Sequence, residues 1–302
     1  MTLVHLKLLL TAIFWGGTFI AGRNLAGHVA PFSAAFLRFA VASLFLVLLT
    51  KKKIGGFPSI KKEQFFYIIL LGATGVFSYN LFFFKGLSLI QAGRASLIIA
   101  NNPIAIALLS FILFNEKLNR TKVLGIFISV TGAVIAISRG NPAELMSGGV
   151  GLGDVYIIIC VMSWVAYSLI GKRIMQDISP FAAVSYSALT GAGMLFFPAL
   201  HEGMVAGLKY YTVMDWLNIF YLGFFGTVLG FVWYYEGINK IGAARAGLFI
   251  NFVPISAILL AFFILDEPIT ASLGIGALLV SSGVYLTNTG APGVRRRLEN
   301  PQ

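Results

Sequence analysis

The sequence predicts an all-α integral membrane protein with ten transmembrane helices in two inverted five-helix repeats, both termini cytoplasmic. Three observations carry this. Of the 302 residues 58% are hydrophobic and only 11% charged, against about 25% charged in a soluble domain, and the mean hydropathy is +0.88. Ten apolar runs have the length needed to cross a bilayer. The second half of the chain repeats the first.

The runs fall at about 6–22, 31–50, 64–84, 94–114, 120–138, 153–172, 180–199, 215–235, 244–265 and 270–289, each bounded by Gly, Pro or charge. The first holds a single Lys7 and no small-residue cleavage site, so it reads as an uncleaved span rather than a signal peptide. Connections are short. The longest, from Arg139 to Gly153, is rich in Gly, Asn, Pro and Ser and separates the halves. The expected organisation is a first repeat over 1–139, an extracytoplasmic linker over 140–152, a second repeat over 153–290 and a basic tail over 291–302. With the N-terminus inside, 16 Lys and Arg lie on the cytoplasmic side and 5 outside, with Arg38 left inside a span. That bias sets the expected orientation.

Trp15 matches Trp164, Arg23 matches Lys172 and Pro31-Phe32 matches Pro180-Phe181, all at an offset of 149 residues. The offset then becomes 151: Gly72 and Gly75 match Gly223 and Gly226, Arg94 matches Arg245, Pro103 matches Pro254, and Glu116 matches Glu267. Five spans per half is an odd number, so the halves must run in opposite directions through the bilayer. Pro103 and Pro254 each remove a helix hydrogen bond in mid-span, leaving carbonyls near Ile99 and Ile250 partly free. Paired broken spans in corresponding positions point to a solute-binding site of a transporter.

Ten spans, the five-plus-five repeat, the Glu116 to Asn119 turn (Glu-Lys-Leu-Asn) before a Gly-rich span and the matching Asp266-Glu267-Pro268-Ile269 turn resemble the EamA family of the drug/metabolite transporter superfamily. The resemblance covers nearly the whole chain. It implies a central cavity lined by spans one to four and six to nine, with spans five and ten packed at the side. Relatives of this kind include bacterial exporters of amino acids, aromatic ones among them, in the cytoplasmic (inner) membrane.

Several side chains are candidates to line the cavity. Arg38 is the one basic residue well inside a span. Burying its charge is costly, so it should face a cavity or a partner, and it could bind a substrate carboxylate or snorkel outward. Tyr79, Asn80 and Tyr234 carry polar groups that need partners in a dry setting, although their aromatic-rich runs could equally form an interfacial belt. Asn101 and Asn102 point about 100° apart, and with Asn251 they could line the site or hold helices together. Trp15 and Trp164 could form aromatic walls or simply pack. The charges flanking the broken helices suggest two latches, Arg94 with Glu267 outside and Arg245 with Glu116 inside; solvated, independent charges are the alternative.

No catalytic, metal-ligand or phosphate-loop constellation stands out, and Cys160 is the single cysteine. No enzyme activity, cofactor or metal is expected. The +11 net charge lies between apolar spans rather than on a soluble basic face, so nucleic acid is not an expected partner. The expected partners are a small-molecule substrate and membrane lipid, with the chain a monomer or weak homo-oligomer. No Asp or Glu falls near mid-span, which favours facilitated export over proton coupling, with Glu236 the open exception. The reading is thus an exporter of small metabolites, amino acids first, by alternating access around a cavity at the breaks of spans four and nine. A sugar-phosphate or other organic-anion exchanger, or a non-transporting receptor or scaffold, are the alternatives.

Overall fold

The computed structural model describes residues 3–114, 119–141, 150–175 and 177–289. Among these residues there are ten helices long and apolar enough to cross a membrane, and no β-strand. Span one is Leu3–Leu25 and span two Pro31–Ile54, whose Pro at the first turn uses a position with no helical N–H to lose. Span three is Lys62–Leu87, span four Ala92–Ile99 and Asn102–Phe114, and span five Arg120–Ile137. The second half follows with span six Leu152–Ile174, span seven Pro180–His201 and span eight Val213–Ile241. Span nine runs from Ala243–Leu248 through Phe252–Leu265, and span ten is Ala271–Thr289.

The expected proline breaks are present. Span four is interrupted by a turn at Ala100–Asn101, and span nine by the 3₁₀ turn Phe249–Asn251. A second, unexpected pair of irregularities lies in spans three and eight. Each opens into a π-helical stretch in mid-span, Gly72–Ser78 and Tyr221–Leu229. The wider turns occupy matching places in the two repeats. These two spans, at 26 and 29 residues, are the longest of the ten.

Glycine explains the packing of those stretches. A Cβ on Gly75 would run into the Tyr167 ring of span six, and one on Gly223 would lie 2.7 Å from the Arg38 carbonyl and 2.8 Å from the Val41 Cβ of span two. The same logic joins spans five and ten. A Cβ at Gly125 would lie 2.6 Å from the Gly283 carbonyl, and one at Gly132 would lie 2.8 Å from that of Gly276. These two spans pair with each other at the side, as the family resemblance implies.

One membrane face, opposite the N-terminus, collects carboxylates that join the halves. Glu202 accepts from the Ser33 N–H and hydroxyl at 2.9 and 3.1 Å, which satisfies the first turn of span two. Glu267 does the same for span four, accepting from the Ala92 and Gly93 N–H groups at 2.9 and 3.2 Å. Asp154 forms a bidentate pair with Arg94, both contacts 2.7 Å, while also capping Gly151 at 2.9 Å. On the N-terminal face Lys7 meets Glu236 at 2.7 Å and Lys240 meets it at 3.1 Å. Lys7, Lys240 and Glu236 are part-exposed, so each of these two pairs contributes at most about 1 kcal/mol.

Candidate functional site

The site is built around Arg38. Span two carries this residue past its first two turns, where its side chain is only 8% exposed. The guanidinium reaches Thr227 inside the span-eight π stretch and Asn80 two residues past that of span three. Its Nη1 donates to Asn80 Oδ1 at 2.8 Å, and its Nε and Nη2 donate to Thr227 Oγ1 at 3.3 and 3.2 Å. Among the described residues it has no carboxylate partner. An arginine therefore sits in the protein interior donating hydrogen bonds to neutral acceptors, with no countercharge among the described residues.

Its two partners are fixed by the π turns themselves. The Asn80 amide donates to the Val76 carbonyl at 2.8 Å, and the Thr227 hydroxyl donates to the Leu222 carbonyl at 2.9 Å. Side chains that would compete with a regular helix here supply bonds to carbonyls in the widened turns. Around this cluster lies a small, partly open cavity of about 40 Å³. Arg38, Tyr79, Asn80, Trp164, Tyr167, Ser187, Thr227 and Phe231 are among its lining residues, so spans two, three, six, seven and eight all contribute. Trp164 packs 5.5 Å from Tyr79 and 5.2 Å from Tyr167, centroid to centroid, to make an aromatic wall.

The structure brings together four of the expected residues: Arg38, Tyr79, Asn80 and Trp164. Trp15 lies just behind the wall, its indole N–H donating to the Gly226 carbonyl of the span-eight π stretch at 2.9 Å. Tyr234 stacks at a tilt on Trp15, 5.3 Å away. Neither lines the cavity.

The proline breaks are a different place, which corrects the expectation that they surround the cavity: among the described residues no lining residue comes from span four or nine. Asn101 turns to span five, accepting from the Ser129 hydroxyl at 2.8 Å while its amide donates to Leu97 O at 2.8 Å. Its side chain is tied between helices. Asn102 is half-buried with its Oδ1 lacking a hydrogen-bond partner among the described residues. Asn251 is half-buried in the 3₁₀ turn of span nine, and Pro103 and Pro254 stand just beyond the two breaks.

The outer latch is also corrected. Arg94 pairs with Asp154 of span six rather than Glu267, because the Glu267 carboxylate is taken up by the N–H groups at the start of span four. Arg245 is exposed, and its expected partner Glu116 lies outside the described residues. Thr227, Tyr167, Ser187 and Phe231 are site residues that the sequence reading did not select. The repeated Gly72/Gly75 and Gly223/Gly226 pairs were their signal. So was the repeat offset, which sets Ser187 opposite Arg38, 149 residues on.

Ten spans in two inverted repeats, around a small aromatic-walled cavity where the repeats meet, define a membrane transporter. Comparison with known proteins gives the particular family. The EamA-like transporter family matches residues 2–138 and again 151–289. The "Uncharacterized transporter YyaM" of Bacillus subtilis (strain 168) is 30% identical over 95% of this chain and 93% of its own length. A relative from Streptantibioticus cattleyicolor, described as a "Probable terminal-alkyne amino-acid exporter", is 27% identical over 97% of this chain and 96% of its own. A crystal structure aligns with a TM-score of 0.66 at 19% identity, covering 94% of this chain and 96% of that one, which supports the fold. The chain belongs to the EamA-like transporter family.

Proposed function

We propose that this multi-pass transporter exports amino acids, those with aromatic or other hydrophobic side chains first, and that Arg38 receives their carboxylate. The observation that carries the reading is the Arg38 guanidinium, without a carboxylate partner among the described residues, in a small, aromatic-walled cavity. Such a charge is costly in a membrane interior and fits a site that takes an anionic group. Similarity to the Streptantibioticus exporter supports the same solute class. A sugar phosphate fits less well, because Arg38 is the one cationic residue that lines the cavity.

The cavity has room for about three waters. Ligand pockets run to roughly 300–1,000 Å³. A solute therefore enters only when the π-helical stretches move apart, and their opening to alternate faces is the proposed transport cycle. The proposed setting is a bacterial cytoplasmic membrane with both termini inside, on the 16-to-5 distribution of basic residues. Among the described residues no carboxylate lines the cavity, which supports facilitated, gradient-driven export.

Counterflow in proteoliposomes tests the reading. Liposomes loaded with unlabelled leucine, phenylalanine or tryptophan are expected to accumulate the labelled amino acid transiently and saturably. Leucinamide and phenylalaninamide, which lack the carboxylate, are expected not to exchange. Exchange of the amides at the same rate as the acids would refute the role of Arg38.

A further inference from the structure

On the face opposite the N-terminus the structure holds a second, larger concavity, open to the outside and about 670 Å³ in volume. Polar and charged groups dominate its rim: Arg23 and Asn24 from the end of span one, Ser88 and Gln91 before span four, and Asp266 and Glu267 after span nine. Its volume is that of a small-molecule pocket. The charges in it are of both signs.

Those charges are not used on one another. Glu267 is committed to the first turn of span four. Arg23 is half-buried and donates through Nη1 to the Leu87 carbonyl, which leaves most of its five donors uncommitted and no carboxylate beside it. Asp266 is exposed and has no hydrogen-bond or ion-pair partner among the described residues. Its backbone is held in the left-handed region (φ 53°, ψ 27°) as the C-cap of span nine, where Glu267 N–H bonds back to the Ala261 carbonyl at 3.2 Å. The Asp266 carboxylate is thus presented from the C-cap of span nine.

A guanidinium tied to one carbonyl and a free carboxylate that share one concavity without pairing present complementary charges to a ligand that carries both. We infer that this vestibule is a second solute site, selective for zwitterions, with Arg23 receiving the anionic group and Asp266 the ammonium. The inference takes its probe from the proposed amino-acid substrate but not its residues. It places a staging point at one mouth of the transport route, separate from the cavity at Arg38. The same chemistry is offered by a free α-amino acid and by a phosphatidylethanolamine headgroup.

The test is equilibrium binding of labelled leucine to lipid-free, detergent-solubilised protein carrying Arg38→Gln, so that the central site is already disabled. Saturable binding is expected, competed by glycine or dihexanoyl-phosphatidylethanolamine but not by leucinamide or N-acetylleucine. Adding Asp266→Asn is expected to weaken it about tenfold, the loss of one charge-assisted contact. Asparagine tolerates the left-handed backbone, and the native carboxylate has no partner to lose, so this variant keeps the fold. Arg23→Gln should weaken binding as much, with thermal unfolding as the check on folding. If the lipid alone binds, and Asp266→Asn weakens it, the headgroup is the native occupant and the zwitterion site stands. Binding indifferent to both substitutions, or no binding of either probe, would overturn the inference. Transport that survives Arg38→Gln would instead count against the central site alone.

Discussion

Replacing Arg38 by Met separates the two roles that the guanidinium could have. As a solute ligand, it supplies a charge-assisted contact of about 1.5–3 kcal/mol, so its loss should raise the half-saturation concentration for counterflow about 10- to 100-fold. As a structural tie, it bridges Asn80 and Thr227 across the two repeats. Its removal leaves two acceptors without that partner, at about 1–3 kcal/mol each. Against this, the substitution abolishes a buried charge that has no countercharge, whose desolvation costs several kcal/mol. Asn80 and Thr227 also keep their own bonds to Val76 and Leu222. The opposing terms are of similar size, so Arg38→Met should leave the thermal midpoint in detergent close to that of the wild type while transport collapses. The assay is counterflow and thermal unfolding on one preparation. Full transport with a half-saturation concentration within twofold of wild type would refute the carboxylate role. Loss of the fold in step with transport would make Arg38 a tie rather than a ligand.

Asn80→Leu and Asn101→Leu should part company. The first is expected to cut transport at least tenfold, by removing the acceptor that orients Arg38. The second, losing its bond to Ser129, should lower the unfolding midpoint by an amount equivalent to about 1 kcal/mol with transport retained. Asp154→Asn breaks a buried, bidentate pair with Arg94 and should cost about 3–5 kcal/mol, whereas Arg94→Met with Asp154→Leu should cost less than either single change; chemical denaturation of the purified variants reads both. Gly125→Ala forces a methyl group against span ten at the Gly283 carbonyl and Thr287. A loss of about 1–3 kcal/mol in stability is expected, with the half-saturation concentration for solute unchanged.

Composition and periodicity made the spans legible because lipid imposes one rule on every segment: length, apolarity and internally satisfied backbone. The repeat offset carried the inverted halves in the same way, through matched Gly, Pro and charged residues. The site was only half legible. Arg38 and Asn80 could be chosen because a polar group in lipid announces itself. The cavity was misplaced because proline marks where a hydrogen bond is missing but not which way the helix faces, and Asn101 turned to Ser129 instead. The π turns carry no proline. Their signal was paired glycine, which reads equally as close helix packing until the neighbours, Tyr167 and Val41, are known. The Arg94 and Glu267 assignment failed for a related reason. Residues at one depth in the membrane need not touch, and Asp154 on the adjoining span six was nearer to Arg94.

The central claim is that solute passes the π-helical stretches beside Arg38 rather than the proline breaks. Thiol accessibility tests it directly. In a Cys160→Ser background, cysteine is placed at Ser187, which lines the cavity, and separately at Asn101. Modification of the Ser187→Cys thiol by a small methanethiosulfonate reagent is predicted to block counterflow and to be slowed by saturating substrate, with Asn101→Cys showing neither effect. Substrate protection at Asn101→Cys but not at Ser187→Cys would contradict the account and return the route to the breaks of spans four and nine.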